Sequence, residues 1–415
     1  MRVCIHRGSK QIGGSCVELE ASGQRIVLDL GLPLDAESND RRHLPAIRGI
    51  DGTDPSLRGI LISHPHLDHY GLLAHVSNSV KIGLGPSARR VLKAAAGFVP
   101  GDWPVPSPGW DYESGKTFEI GPFRVTPYLV DHSAYDAYAL LIEADGKRLF
   151  YSGDFRGHGR KSALFDRMVA NRPPDIDALL VEGSSLGRLN DDEAFPGEND
   201  IETALVDTLV KTKGLALVHT SAQNVDRVVS IFRAARKAGR TLVIDLYSAA
   251  VLEATGSANL PQSDWKDVAL FVPQAQRLHI KKNSLFDLLS RHSANRIFIS
   301  DLKDAPDRYA LLFRPLHRND LERGECLAEA CYVYSQWEGY WELGMYDNLR
   351  TWISTHAIPR VSIHTSGHAS PRDLKLFVQA FSPKRVIPIH SFKPELYPQL
   401  FDNVEPHADG EWWTV

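Results

Sequence analysis

The sequence has 415 residues, 43% hydrophobic and 24% charged, with a formal net charge of −4. Its length exceeds what one ordinary core fills and predicts two domains or one domain with a large insertion. No apolar run approaches the about 20 residues of a membrane span, and residues 1–6 carry no signal-peptide h-region, so a cytoplasmic protein without membrane contact is expected.

Cys4, Cys16, Cys326 and Cys331 form no Cys-x-x-Cys pair and no disulfide framework. The small negative charge does not advertise a nucleic-acid binder. Neither does it exclude one, because a local basic groove suffices for phosphate contacts and bound cations add uncounted charge.

Val3–Ile5, Cys16–Glu20 and Arg25–Leu30 read as strands, the last two flanking residues 21–24 as a hairpin turn. Asp29 sits in that apolar strand, where a carboxylate is costly without partners. It either caps the following turn or orients a neighbouring loop.

Gly59–Ile62 is an apolar run typical of a buried strand. It leads directly into Ser63-His64-Pro65-His66-Leu67-Asp68-His69-Tyr70-Gly71. His64 and His66 alternate as extended residues do, and Pro65 keeps His64 out of helix. Neutral imidazole and carboxylate are the ligands that a borderline cation such as Zn²⁺ takes. A lone His-x-His is more often a surface loop. The whole word His-x-His-x-Asp-His, placed directly after a strand, is a metal-site signal.

Residues 72–80 and 87–96 are predicted helices. The stretch 98–110 is too rich in proline and glycine for regular structure and reads as a surface loop. Phe123–Val130 is a strand running into Asp131-His132-Ser133, and the run from Arg148 is another strand, ending near Asp154. Taken alone, either His132 or Asp154 is more often a turn residue. Residues 178–182 repeat the pattern, with Glu182 at the strand end, and 186–200 reads as a polar exit loop.

The rhythm then changes. A helix at 201–211, a strand at 215–219, an amphipathic helix at 225–238 and a strand at 241–245 form strand–helix–strand units, hence a parallel sheet. Residues 296–300 and 331–335 are further predicted strands. Neither an internal repeat nor a Walker-type phosphate loop is present. The tail returns to the first style, with a strand entering His364-Thr365-Ser366-Gly367-His368, a helix at 371–381 and a strand at 384–390 that ends in His390.

The His64–His69 word resembles the signature of the metallo-β-lactamase superfamily, whose order of ligands His132 and Asp154 then follow. Glu182, His368 and His390 narrow the resemblance to its β-CASP branch, which includes ribonuclease J. The resemblance runs over nearly the whole chain. It implies an αββα sandwich interrupted by an inserted α/β domain, here 1–198 and 353–415 for the sandwich and 199–352 for the insertion. It also places an aspartate at the position of Asp29, favouring the orienting role. Histidine at the last motif, as at His390, is the pattern of RNA-processing members. The extra C-terminal domain usual in ribonuclease J does not follow Trp412-Trp413-Thr414-Val415, so dimerisation does not carry over and homo-oligomerisation stays open.

By the same resemblance, two metals are expected, zinc first, with manganese or magnesium as alternatives. His64, His66 and His132 would hold one; Asp68, His69 and His390 the other; Asp154 would bridge. Paired metals activate a shared water and neutralise a scissile phosphate. His368 would stabilise the phosphorane or protonate the leaving 3′-oxygen, and Glu182 would fix its tautomer. A structural pair at the domain junction is the competing reading of Glu182 with His368. His364, Ser366, Thr220 and Ser221 are candidates to grip a terminal phosphate, against ordinary turn capping. Arg227, Arg233 and Arg236 line an RNA track or are merely solvated.

The expected activity is cleavage of single-stranded RNA. A hydrolase of a small ester, thioester or lactone on the same fold, a DNA nuclease of the same branch, and an inactive RNA-binding subunit are the competing classes. The inserted domain and His368 favour the nuclease, and seven retained ligands disfavour the inactive subunit.

Overall fold

A computed structural model of the chain describes residues 1–99, 104–106 and 108–415, so part of the expected 98–110 loop lies outside the described residues. Two compact units emerge. The first comprises Met1–Phe195 and Gly367–Val415, the second Pro196–Ser366. The return to the first unit thus falls later than the expected 352/353 boundary. Arg360–Ser362 is the reason, since it pairs in parallel with Cys331–Tyr334 as an edge strand of the second unit.

In the first unit, two six-stranded sheets face each other. One has the spatial order Trp412–Thr414, Arg2–Arg7, Cys16–Ala21, Gln24–Leu28, Leu57–Leu61, Ile82–Gly83. The other runs Val386–Ile389, Ala178–Glu182, Lys147–Tyr151, Ala137–Ala144, Phe123–Val130, Phe118–Ile120. The hairpin between Cys16–Ala21 and Gln24–Leu28 closes through Ser22 and Gly23, both at positive φ (49° and 72°), the geometry that matches strand twist.

Alternate residues of both sheets fill one shared core, including Val3, Ile5, Val17, Leu19, Phe123, Leu140, Ile142 and Leu180. The outer faces are covered by helices. Pro86–Ala96 presents Ala88 and Leu92 to the first sheet. Ser162–Ala170 and Pro371–Phe381 cover the second through Phe165, Met168, Leu374, Phe377 and Phe381. This is the αββα sandwich. Each layer is apolar where it meets its neighbour, as stacked layers require.

The second unit is built on a parallel seven-stranded sheet. Its central strands are buried on both faces, as in Ala216–His219, Thr241–Ile244 and Tyr309–Phe313, where Thr241 and Tyr309 alone are half-buried, the pattern of a sheet covered by other layers.

Two local expectations fail. Residues 72–80 form no α-helix; the chain makes a short helix at Leu67–Tyr70 and a 3₁₀ turn at Gly71–His75. Residues 296–300 give only a two-residue strand, Arg296–Ile297, because the Asp301 carboxylate accepts from Phe298 N at 2.7 Å and caps a helix over Ile299–Asp304. Among the described residues, no helix is long and apolar enough to cross a membrane.

Candidate metal centre

The site lies at one end of the first unit, where strands from both sheets run out into turns. The His-rich turn is held by backbone. Leu30 N donates to His69 O at 2.8 Å, Leu32 N to Leu67 O at 2.9 Å and Ser15 N to Asp68 O at 3.0 Å. Gly31 permits this approach, since a Cβ there would lie 1.7 Å from the Asp68 carbonyl oxygen.

The predicted ligands converge. One atom from each of His64, His66 and His132 lies within 4.8 Å of the others, and the same holds for Asp68, His69, Asp154 and His390. A third group joins Asp154 to Glu182 and His368. Asp154 Oδ2 lies 3.2 Å from His69 Nε2 and 3.6 Å from both His64 Nε2 and His390 Nε2. It therefore stands between the two histidine sets.

The donor atoms fit a cation. His64 Nε2, His69 Nε2, His390 Nε2 and both carboxylate oxygens of Asp154 are buried without a hydrogen-bond partner. Buried polar atoms are nearly always paired, so five such atoms gathered in one place suit a bound cation. His66 Nδ1 and His132 Nε2 face each other at 3.2 Å. Burial, reinforced by neighbouring imidazoles, pushes His64 and His132 far below the ordinary histidine range, and burial pushes His66 down to about 4. These rings are neutral at physiological pH and offer lone pairs. His69 behaves oppositely. Burial opposes its charge, but Asp154, Asp29 and Asp68 outweigh that and raise it.

The far nitrogens of the rings are tied down. His69 Nδ1 meets Asp29 Oδ2 at 2.7 Å, His64 Nδ1 meets Ser63 Oγ at 3.0 Å, His390 Nδ1 meets Ser15 Oγ at 2.8 Å and His132 Nδ1 meets the Gly367 carbonyl at 2.5 Å. Such outer contacts set tautomer and ring direction. Asp29 is fully buried, sits at φ 59° just beyond its strand, and also accepts from Ser63 N, Ser63 Oγ and Tyr151 Oη. Asp29 thus makes four contacts, one of them to the far nitrogen of His69. Tyr151, Ser63 and Ser15 escaped sequence reasoning; the only signal for them was adjacency to a strand end or to the histidine word.

Glu182 and His368 are brought together. Glu182 Oε2 lies 3.0 Å from His368 Nδ1, and Ser184 Oγ donates to the same oxygen at 2.6 Å. The other oxygen, Oε1, accepts from Phe155 N at 2.9 Å. Burial lowers the His368 pKa, yet Glu182 and Asp154 prevail and lift it to about 9. Ser184 was a further omission.

The four candidate phosphate residues belong to the second unit. Thr220 and Ser366 are buried, His364 is half-buried and Ser221 is exposed. Ser221 Oγ accepts from Gln223 N at 3.2 Å, an ordinary turn contact. Arg227 does not line a track. It is fully buried, bound to Glu198 at 3.0 Å and to Ser335 Oγ at 2.6 Å. Arg233 and Arg236 are exposed beside Glu202 and Asp267.

Known proteins share this plan. Residues 24–241 match the family described as "Beta-lactamase superfamily domain", and residues 359–396 match the "Zn-dependent metallo-hydrolase RNA specificity domain". The transcription termination factor FttA of Methanothermobacter thermautotrophicus is 27% identical over 233 residues, 51% of this chain and 35% of that protein. A ribonuclease J of Sinorhizobium meliloti is 25% identical over 48% of this chain and 36% of its own length. A ribonuclease J of Mycoplasma pneumoniae is 20% identical over 92% of this chain and 66% of its own length. The chain thus spans about a third of the first two relatives and two thirds of the third. A protein of unknown function from Enterococcus faecalis V583 superposes with a TM-score of 0.77 at 20% identity, covering 100% of this chain and 99% of that one. With a family match over more than half its length and its histidines and aspartates positioned for metal binding, the chain belongs to the metallo-β-lactamase superfamily, in the β-CASP branch that includes ribonuclease J.

Proposed function

We propose that the chain is a metal-dependent phosphodiesterase that cleaves single-stranded RNA in the manner of a ribonuclease J. The observation that carries this reading is the convergence of seven candidate histidine and aspartate ligands, with orphaned donor atoms, beside the pair of buried Glu182 and half-buried His368. A small-molecule hydrolase needs the ligands but gives that pair no evident task. The RNA-specificity match around His368 and the ribonuclease J relatives support the choice of substrate.

His64, His66 and His132 would hold one zinc ion, and Asp68, His69 and His390 a second, with Asp154 bridging. When bound, the metals supply Lewis acidity toward a scissile phosphate and lower the pKa of an attacking water. The Glu182 carboxylate favours the imidazolium form of His368 and accepts a hydrogen bond from its Nδ1–H, so Nε2 also carries a proton and can donate it. His368 Nε2 then gives its proton to the leaving 3′-oxygen as the phosphorus–oxygen bond breaks. Ser184 holds the Glu182 carboxylate in place. Thr220, Ser221, His364 and Ser366 are proposed to contact a 5′-terminal phosphate.

The test is a product ladder from 3′-labelled single-stranded RNA bearing a 5′-monophosphate or a 5′-hydroxyl. Matched DNA, added Zn²⁺ or Mn²⁺ and an EDTA control complete the set. Chelator-sensitive cleavage of RNA is expected, faster with the 5′-monophosphate and lost in Asp68→Ala. Intact RNA and DNA from protein shown to carry metal would move the assignment to a small-molecule hydrolase.

A further inference from the structure

The two ligand sets are chemically unequal. His64, His66 and His132 are three neutral rings, backed by the Ser63 hydroxyl and the Gly367 carbonyl. The other set joins His69 and His390 to two carboxylates, Asp68 and Asp154. Asp154 is nearer to it, at 3.2 Å from His69 Nε2 against 3.6 Å from His64 Nε2.

A third carboxylate stands directly behind this second set. Asp29 makes no approach to the ligand space but binds His69 Nδ1 at 2.7 Å in a fully buried position. It also accepts from three further donors, Ser63 N at 2.6 Å, Ser63 Oγ at 2.8 Å and Tyr151 Oη at 2.7 Å, which hold it in place. A carboxylate accepting the far proton of an imidazole raises the basicity of its metal-facing nitrogen. His64 reaches Asp29 only through the Ser63 hydroxyl. Charge and ligand basicity therefore favour a divalent cation in the same pocket, in a buried site where Coulomb terms are weakly screened.

We infer that the two pockets fill in order. The Asp68–His69–Asp154–His390 pocket takes its cation first and more tightly, and Tyr151 is a positioning residue that sustains this preference through Asp29. The inference rests on the metal-centre reading above. It adds a ranking of the two pockets and a residue that touches neither cation.

The experiment titrates metal-free full-length protein with Zn²⁺ against a chromophoric chelator, and with Mn²⁺ under electron paramagnetic resonance. Two resolved steps are expected for the wild type, with an uncoupled manganese signal at one equivalent and a spin-coupled one at two. Asp29→Asn keeps the side-chain shape and tolerates the left-handed backbone. It should weaken the first step by about tenfold or more, and Tyr151→Phe should weaken it less but in the same direction. His132→Ala should lose the second step and keep the first. Two equivalents without order, or a first step lost in His132→Ala and untouched in Asp29→Asn, would overturn the ranking alone. A folded wild type that binds no Zn²⁺ would overturn the metal centre itself.

Discussion

His132 donates its Nδ1–H to the carbonyl of Gly367 at 2.5 Å, so a candidate ligand ring is aimed by the peptide that immediately precedes His368. Two turns far apart in sequence thereby share one geometry. Gly367 has no room for a side chain, since a Cβ would meet Ser133 Oγ at 2.5 Å and His132 Cε1 at 3.4 Å.

Gly367→Ala should therefore displace that carbonyl, rotate the His132 ring and loosen the His64–His66–His132 pocket. The expected result is a loss of about one bound metal per chain and a drop in turnover of about tenfold or more. Metal analysis after gel filtration, run beside the activity assay, checks this. Full metal content with full activity would show that the contact does not position the ring.

Glu182→Gln keeps the size of the side chain and removes its charge. Glu182 accepts hydrogen bonds from Phe155 N and Ser184 and pairs with His368, while Asp154 lies near without a hydrogen bond to it. Metal content should stay unchanged while kcat falls by about 10²-fold, the scale of a mispositioned general acid. Ser184→Ala should show a smaller fall of the same kind. A variant that loses metal instead would make Glu182 part of the metal shell rather than the partner of His368.

What the sequence disclosed and what it hid follow from chemistry and distance. His64, His66, Asp68 and His69 stand within one turn, so their convergence is a local property that spacing reveals. His132, Asp154, Glu182 and His390 were legible as polar residues at or just beyond the ends of apolar strands, which a parallel or mixed sheet gathers at one edge. Ser15, Ser63 and Tyr151 carry no such mark. Ser15 meets His390 across 375 positions, and serine beside a strand is common. Arg227 shows the same limit in the second unit. Its helical periodicity was evident, but not that Glu198, on a separate helix, would bury it. Residues 296–300 looked like a strand by composition, and the Asp301 cap overrode that propensity.

Metal should stabilise the first unit as well as equip it. The orphaned donors of His64, His69, His390 and Asp154 are unsatisfied without a cation. Binding to the native state alone raises stability by about 2.7 kcal/mol at a free concentration of 100 times Kd. Scanning calorimetry should show Tm rising by several degrees with Zn²⁺ and falling back with chelator. An unchanged Tm in protein that demonstrably binds Zn²⁺ would mean that the ligands are not strained by its absence.

Away from the site, His6 and Glu18 predict a pH dependence. His6 Nε2 lies 2.7 Å from Glu18 Oε2, with Arg25 on the other carboxylate oxygen and Cys4 Sγ 4.0 Å from His6 Nδ1. Burial lowers the His6 pKa, but contacts with Cys4 and Glu18 outweigh it and raise it from 6.5 to about 9. The raised folded-state value means that this pair contributes fully below pH 6.5 and is lost as pH climbs through about 9. Urea denaturation from pH 6 to 10 should show wild-type stability declining more than that of His6→Gln over this window. Parallel curves would remove the pair from the account.

The buried pair of Arg227 with Glu198 decides between a structural and a substrate role for that helix. Arg227 Nη2 meets Glu198 Oε1 at 3.0 Å, Nη1 donates to Ser335 Oγ, and neither charged side chain reaches solvent. Removing one partner strands the other charge in the interior, which costs about 3–5 kcal/mol. Arg227→Ala should therefore lower the unfolding transition of the second unit and leave metal bound to the first. Arg233→Ala, at an exposed position, should be nearly silent in stability. If Arg227→Ala unfolds like the wild type and loses only RNA affinity, the guanidinium serves substrate and not the fold.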